Sequence, residues 1–305
     1  YKNPVVDIAM PDPTVIKATD GYFYVYATES TRNVPIMRSK DLVEWTYCNT
    51  AFTNKTRPRF EPKAGIWAPD INYINGKYVL YYAMSVWGGE QTCGIGVATA
   101  NSPQGPFTDH GKMFRSNEIG VQNSIDPSLL QYEGRNYLVW GSFRGIYVIE
   151  LTADGLSIMP GAKKKRIAGT AFEAVYIHKY GDYYYMFASI GSCCQGVKST
   201  YKVVVGRSKK VWGPYKDKTG KPMLKNGYSL VIGANDHFVG NGHGSQIIRD
   251  DAGQDWLLYH GFSRSTPENG RILLLDQIKW DQEGWPYVEG GSPSYETQKA
   301  PVFNN

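Results

Sequence analysis

The chain has 305 residues, 42% of them apolar, with 33 basic and 28 acidic side chains for a net charge of +5. It can therefore bury a large core, yet no stretch nears the roughly 18 uninterrupted apolar residues of a membrane span, which excludes a spanning segment. The charges are dispersed: Lys163-Lys164-Lys165-Arg166 is the one basic run and reads as a solvated loop, and no second patch or base-reading motif points to nucleic acid.

From the N-terminus, residues 13–16 form an apolar run, Gly21 opens the aromatic run Tyr22-Phe23-Tyr24-Val25-Tyr26, and residues 34–38 lead through a turn to Trp45. The same order then returns. Gly76 precedes Lys77-Tyr78-Val79-Leu80-Tyr81, and residues 94–98 lead to Phe107. Residues 127–130 and Gly134 precede Arg135-Asn136-Tyr137-Leu138-Val139-Trp140, and residues 145–149 lead to Leu156. Gly181 precedes Asp182-Tyr183-Tyr184-Tyr185-Met186-Phe187, and residues 201–205 lead to Tyr215. Gly253 precedes Gln254-Asp255-Trp256-Leu257-Leu258-Tyr259, and residues 271–275 lead to Trp285.

A turn residue followed by β-branched and aromatic residues is the mark of a strand leaving a hairpin. Units of roughly 50–70 residues with about four strands each, and almost no helical periodicity, predict an all-β fold: a five-bladed β-propeller with four strands per blade. A β-sandwich would show turn signals every 8–12 residues or so without the longer period. No linker interrupts the pattern, so residues 1–305 read as one domain.

Repeats bring equivalent positions together, and here the shared position is unequal. Counting back from the hairpin glycines gives Asp12, Asp126 and Glu173 in blades one, three and four, against Ala68 (with Asp70 two residues on) in blade two and Ser245 (beside His243) in blade five. These residues should ring one end of the channel, because the first strand of each blade lines it. Three carboxylates around one pocket suit glycoside hydrolysis, in which one activates water, one protonates the leaving oxygen and a third tunes the pair. Asp12 and Asp126 precede proline and could simply start a strand through a local bond. Glu173 has no such role, since Ala171-Phe172-Glu173-Ala174-Val175 places it within an apolar run. The 23 Tyr and 8 Trp suit strands, and they also suit surfaces that stack on sugar rings.

Cys48, Cys93, Cys193 and Cys194 do not have zinc-site spacing. Adjacent Cys193 and Cys194 admit a vicinal disulfide, two thiols, or bonds to different partners, so the redox compartment stays open. The chain begins at Tyr1 with no visible signal peptide, which reads as a processed or trimmed form.

Asn3-Pro4-Val5 followed by Pro11-Asp12-Pro13-Thr14-Val15-Ile16 resembles the opening of family 43 glycoside hydrolases, which are five-bladed propellers. Gly65-Ile66-Trp67-Ala68-Pro69-Asp70 resembles their second-blade signature and Ser124-Ile125-Asp126-Pro127 their third. The resemblance implies an inverting enzyme with Asp12 as general base, Glu173 as general acid, and Asp126 orienting the acid and tuning its pKa. Residues 188–196, Ser199-Thr200-Tyr201, residues 205–208 and Gly242-His243-Gly244-Ser245-Gln246 resemble the arabinan-cleaving branch.

That branch implies arabinan or an arabino-oligosaccharide as partner, secretion or periplasmic residence, a monomer, and no organic cofactor. It also implies a calcium or other channel ion near His243, held mostly through water. From the residues alone, His243 is a hydrogen-bonded channel histidine without metal. Trp67, Trp87 and Phe143 are candidate sugar platforms, with Ser142 and Ser124 as further substrate contacts. Segments 30–64 and 216–244 are the expected cleft walls. Many arabinanases place histidine before the catalytic aspartate where this chain has Pro11, so contacts beside Asp12 should differ. The same carboxylate trio would serve an arabinofuranosidase or a β-xylosidase. A non-catalytic carbohydrate-binding propeller would be expected to lack one of the three.

Overall fold

Five glycines turn the chain at the expected places. Gly21, Gly76, Gly134, Gly181 and Gly253 adopt φ between 56° and 85°, a region that a Cβ disfavours. A Cβ at any of them would meet nothing within 4 Å, so conformation rather than space selects glycine. The computed structural model describes residues 1–304 and arranges the strands beside these turns as five sheets, the blades of a propeller.

After β1 (Val6–Ala9), the first blade is β2 (Thr14–Lys17), β3 (Phe23–Tyr26), β4 (Pro35–Ser39) and β5 (Thr46–Thr50). The second is β6 (Gly65–Ile74), β7 (Lys77–Ser85), β8 (Gly94–Ala100) and β9 (Thr108–Arg115), and the third β10 (Ser128–Tyr132), β11 (Arg135–Trp140), β12 (Ile146–Leu151) and β13 (Lys165–Ala168). The fourth is β14 (Glu173–Tyr180), β15 (Tyr183–Ile190), β16 (Lys202–Ser208) and β17 (Ser229–Ile232). In the fifth, β18 (Phe238–Gly242) and β19 (Ile248–Arg249) both pair with β20 (Asp255–Ser263), which pairs with β21 (Ile272–Trp280).

The fifth blade departs from the repeat. Its outer strand is β1, which pairs with β21 at Val6↔Leu273 and Ala9↔Ile272, while the expected run near Trp285 yields only β22 (Pro286–Tyr287). Asn3 fixes this closure: its side-chain amide donates to the Leu275 carbonyl at 3.0 Å and accepts from the Leu275 N–H at 2.8 Å. The chain's two ends are thus joined within one sheet.

Central strands are buried on both faces, so they read as continuous apolar runs. Period-two alternation divides each run between two neighbouring blades. Tyr24 and Tyr26 pack against Ile66, Leu80 and Met84 of blade two, whereas Phe23 and Val25 pack against Trp256, Leu258 and Leu273 of blade five. Similar clusters fill the other three blade interfaces.

The channel mouth carries a second regularity. Asp12, Ala68, Asp126, Ala174 and His243 each have positive φ (54°, 43°, 57°, 55° and 52°), one residue per blade. Such a conformation costs a residue with a side chain roughly 1–2 kcal/mol. Neighbouring blades hold it in place. The N–H of Asp12 donates to His260 Nδ1 (3.0 Å), that of Ala68 to Thr28 Oγ1 (2.7 Å), that of Ala174 to Asp126 Oδ2 (3.0 Å) and that of His243 to Ser189 Oγ (2.9 Å).

This ring corrects the register expected from sequence in two blades. In blade four the ring residue is Ala174, and Glu173 stands one residue before it, level with Trp67 in blade two. In blade five the ring residue is His243 rather than Ser245. Counting from the hairpin glycine missed the step because the glycine takes different places in the turns: second of two residues in blades two and three, first of two in blade four, and fourth of five in blade five.

Candidate active site

The channel mouth opens into a cleft of about 550 Å³ lined by Asp12, Asp126 and Glu173. All three carboxylates are buried, between 6% and 9% exposed, so their protonation depends on what touches them.

Asp12 lies among cations and donors. Oδ2 accepts from Thr28 Oγ1 at 2.6 Å, and Oδ1 faces Arg271 Nη1 and His243 Nδ1, both at 3.1 Å. Burial alone would raise its pKa, but Arg271 and His243 outweigh burial and hold the carboxyl well below the usual range. Burial likewise opposes charge on His243, yet the Asp12 carboxylate, with Asp126 and Glu173 beyond it, pushes the imidazole up to about 9. His260 differs. It accepts the Asp12 N–H on Nδ1, so its proton sits on Nε2, which has no hydrogen-bond partner among the described residues. Burial and the Arg271 charge keep this ring neutral.

Asp126 and Glu173 form the opposite kind of environment. Burial raises the Asp126 carboxyl, and the Glu173 charge raises it further. Burial also raises Glu173, even though Ser142 Oγ and Tyr201 OH donate to its two oxygens at 2.5 and 2.6 Å. Like charges this close in a dry site disfavour joint ionisation, so the pair retains a proton where Asp12 does not. One ionised carboxylate and one proton-bearing carboxyl around a single cleft can act together as base and acid.

Trp67, Trp87 and Phe143 all line the cleft. Trp87 is 77% exposed and its ring lies 5.6 Å from that of Trp67, so it offers a free face beside a fixed one. Ser142 also lines the cleft but is 1% exposed. Its proton goes to Glu173 and its oxygen accepts from Asn123 Nδ2 at 3.0 Å, so it positions the carboxyl instead of meeting a sugar hydroxyl.

Ser124 is a correction. It is fully buried outside the cleft, donating to the Val121 carbonyl at 2.7 Å and accepting from Trp140 Nε1 at 3.0 Å. Replacing it by alanine strands a buried indole N–H. A Ser124→Ala protein is expected to lose about 1–3 kcal/mol in a denaturant titration.

Asp70 lies deeper on the same face, as expected. It accepts from Asn72 Nδ2, the Leu129 N–H and Gln246 Nε2 at 2.7–2.9 Å, and burial pushes it up to about 7. It lines a chamber below the cleft of about 20 Å³, room for about one water. The expected walls need correcting too: segment 30–64 reaches the cleft only at Ser30 and segment 216–244 only at His243. The remaining wall is formed by short loops that follow second strands.

His243 faces both cavities. Among the described residues no three His, Cys, Asp or Glu side chains converge as a metal-binding group, and His243 Nδ1 is engaged by Asp12. This donor set does not fit a protein-held calcium ion, which takes six to eight or so oxygen ligands, and no step below runs through one.

Arg271, Thr28 and His260 were not picked out from the sequence, and Tyr201 stood there only as the end of the Ser199-Thr200-Tyr201 motif, with no role. For His260 a signal existed, because Leu257-Leu258-Tyr259-His260 interrupts an apolar run as Glu173 does. Arg271, at a strand's start, gave none.

The profile described as glycosyl hydrolases family 43 matches residues 1–286. An extracellular exo-α-(1→5)-L-arabinofuranosidase of Cellvibrio japonicus (strain Ueda107) is 36% identical, the match covering 91% of this chain and 86% of that protein. An extracellular endo-α-(1→5)-L-arabinanase of Bacillus subtilis (strain 168) is also 36% identical, over 90% of this chain and 86% of its own. Among solved structures, Cellvibrio cellulosa α-L-arabinanase complexed with arabinohexaose superposes with a TM-score of 0.85 at 34% identity, over 95% of this chain and 99% of that one.

Proposed function

The chain belongs to glycosyl hydrolase family 43, and on that premise we propose that it hydrolyses α-1,5-linked L-arabinofuranosyl chains with inversion at the anomeric carbon. The observation that carries this reading is the opposed protonation of the carboxyls: Asp12 is held ionised by Arg271 and His243, while Glu173 shares a proton-retaining site with Asp126.

Asp12 takes a proton from water as the water oxygen attacks C1. Glu173 gives its proton to the departing glycosidic oxygen. The new Glu173 carboxylate is received by the Ser142 and Tyr201 hydroxyls already aimed at it. Asp126 acts through charge, keeping Glu173 protonated until transfer, and through the Ala174 N–H, fixing the backbone beside it. Trp67, Trp87 and Phe143 offer apolar faces to the sugar rings.

The adjacent Cys193–Cys194 disulfide and relatives named extracellular support action outside the cytoplasm, where the polymer is found. Product analysis on linear arabinan tests the reading. Arabinose or arabino-oligosaccharides released first as the β-anomer support it, whereas turnover of xylosides alone would refute it.

The pH profile should be bell-shaped. Activity rises as Asp12 ionises, below the ordinary carboxylate pKa of about 3.9, and falls as Glu173 ionises, above about 4.3. Removing the Asp126 charge eases ionisation of Glu173. In Asp126→Asn the alkaline limb of kcat/KM should therefore move to lower pH while the acid limb stays nearly fixed.

A further inference from the structure

The loops that follow second strands in blades two, three and four all reach the cleft. In blade two the loop presents Trp87, and in blade three Phe143. In blade four the same place is taken by the half-buried disulfide between Cys193 and Cys194. We propose that this disulfide is the blade-four counterpart of the two aromatic platforms, an apolar face for the arabinofuranosyl residue that departs in the reaction. The inference rests on the arabinan-cleaving reading above and names a specificity determinant within that site.

Its placement assigns it to the leaving side. Ser189, which begins the approach to the loop, pairs with Glu173 across the sheet, and Tyr201, which ends it, hydrogen-bonds Glu173. The loop therefore overhangs the carboxyl that protonates the leaving oxygen, and the sugar attached to that oxygen lies beneath it.

The chemistry suits the task. Joining adjacent cysteines closes a small ring through their peptide bond, so two polarisable sulfurs and two methylenes form one rigid patch with no charge and no strong donor. Like an aromatic face, it accepts the C–H side of a furanose and leaves the hydroxyls to water.

The loop base does not depend on the bond. Ser192 N–H donates to Thr200 Oγ1 at 2.9 Å, the N–H groups of Thr200 and Tyr201 donate to the Ser192 carbonyl at 3.1 and 3.0 Å, and Gln195 N–H donates to Ser199 Oγ at 2.9 Å. Opening the disulfide should change the face and leave the frame. Cys48 and Cys93 are free thiols, so a reductant has one bond to act on.

The test compares wild type, wild type treated with a phosphine, and the Cys193→Ser/Cys194→Ser protein. The phosphine reduces the disulfide by two electrons to two thiols and becomes the oxide with oxygen from water. Substrates are arabino-oligosaccharides and an aryl arabinobioside, whose leaving group carries no sugar. For the oligosaccharides, KM should rise about fivefold with kcat little changed, as expected when a contact equal in ground and transition states is lost. The aryl substrate should show no rise, and the phosphine should have no effect on the double variant.

An unchanged KM in a folded double variant, while Trp87→Ala raises it, overturns the platform and leaves the arabinan reading intact. An equal KM rise on both substrates, or a fall in kcat and melting temperature with KM unmoved, also overturns it, because either marks a general structural role. Failure of wild type to cut arabinan removes the premise, and this inference with it.

Discussion

Replacing Glu173 by glutamine should lower kcat on linear arabinan about a thousandfold, within the range that a positioned general acid supplies. Glutamine keeps the size of the side chain, and its amide oxygen can still accept from Ser142 or Tyr201, so the site stays folded. What disappears is the transferable proton. The loss should therefore depend on the leaving group: severe for a sugar alkoxide, small for a dinitrophenyl arabinobioside whose phenolate departs without help. The alkaline limb of the pH profile should also vanish, because the group that produces it no longer titrates. Equal losses on both substrates would show that Glu173 is not the acid.

Replacing Asp12 by asparagine should also lower kcat about a thousandfold or more, but with equal loss on both substrates, since attack by water is impaired whatever departs. Asparagine is the informative choice. Asn, like Asp, tolerates the left-handed conformation at φ 54°, whereas alanine would add strain to the loss of charge. The variant removes the one negative group between Arg271 and His243. His243 should then give up its raised pKa, and the acid limb should disappear. Leaving the Arg271 guanidinium short of its partner in a part-buried site should cost about 3 kcal/mol in a denaturant titration. Retained activity in a folded Asp12→Asn protein would place the base elsewhere.

Much of this architecture was legible because the repeat is written in local chemistry. Positive-φ glycines and double-faced apolar strands are properties of short segments, so blade number and strand order follow from them. The carboxylates were legible for a different reason: Glu173 within an apolar run breaks a local rule, and such breaks mark function.

What escaped lies between segments. The one-residue offset of Glu173 arises because Gly181 is the first residue of its turn where Gly76 is the second, and that place shows only once the flanking strands are paired. Thr28 meets Asp12 only once β2 and β3 pair, and Arg271 only once blades five and one close around it. Ser124 looked like part of a motif, yet Trp140, far along the chain, turned it inward. The outer strand of blade five escaped because it comes from the opposite end of the chain.

The left-handed ring has a consequence for redesign. Four of its five positions are held by cross-blade bonds from their own N–H groups, and the fifth, Asp126, holds one of them through its carboxylate. Asp12, Asp126 and His243 carry functional side chains there, while Ala68 and Ala174 present a buried methyl. Aspartate and asparagine accept this conformation better than alanine. Aspartate or asparagine at Ala68 or Ala174 would thus suit the backbone without a new loop, whereas exchanging Asp126 would also release the Ala174 N–H.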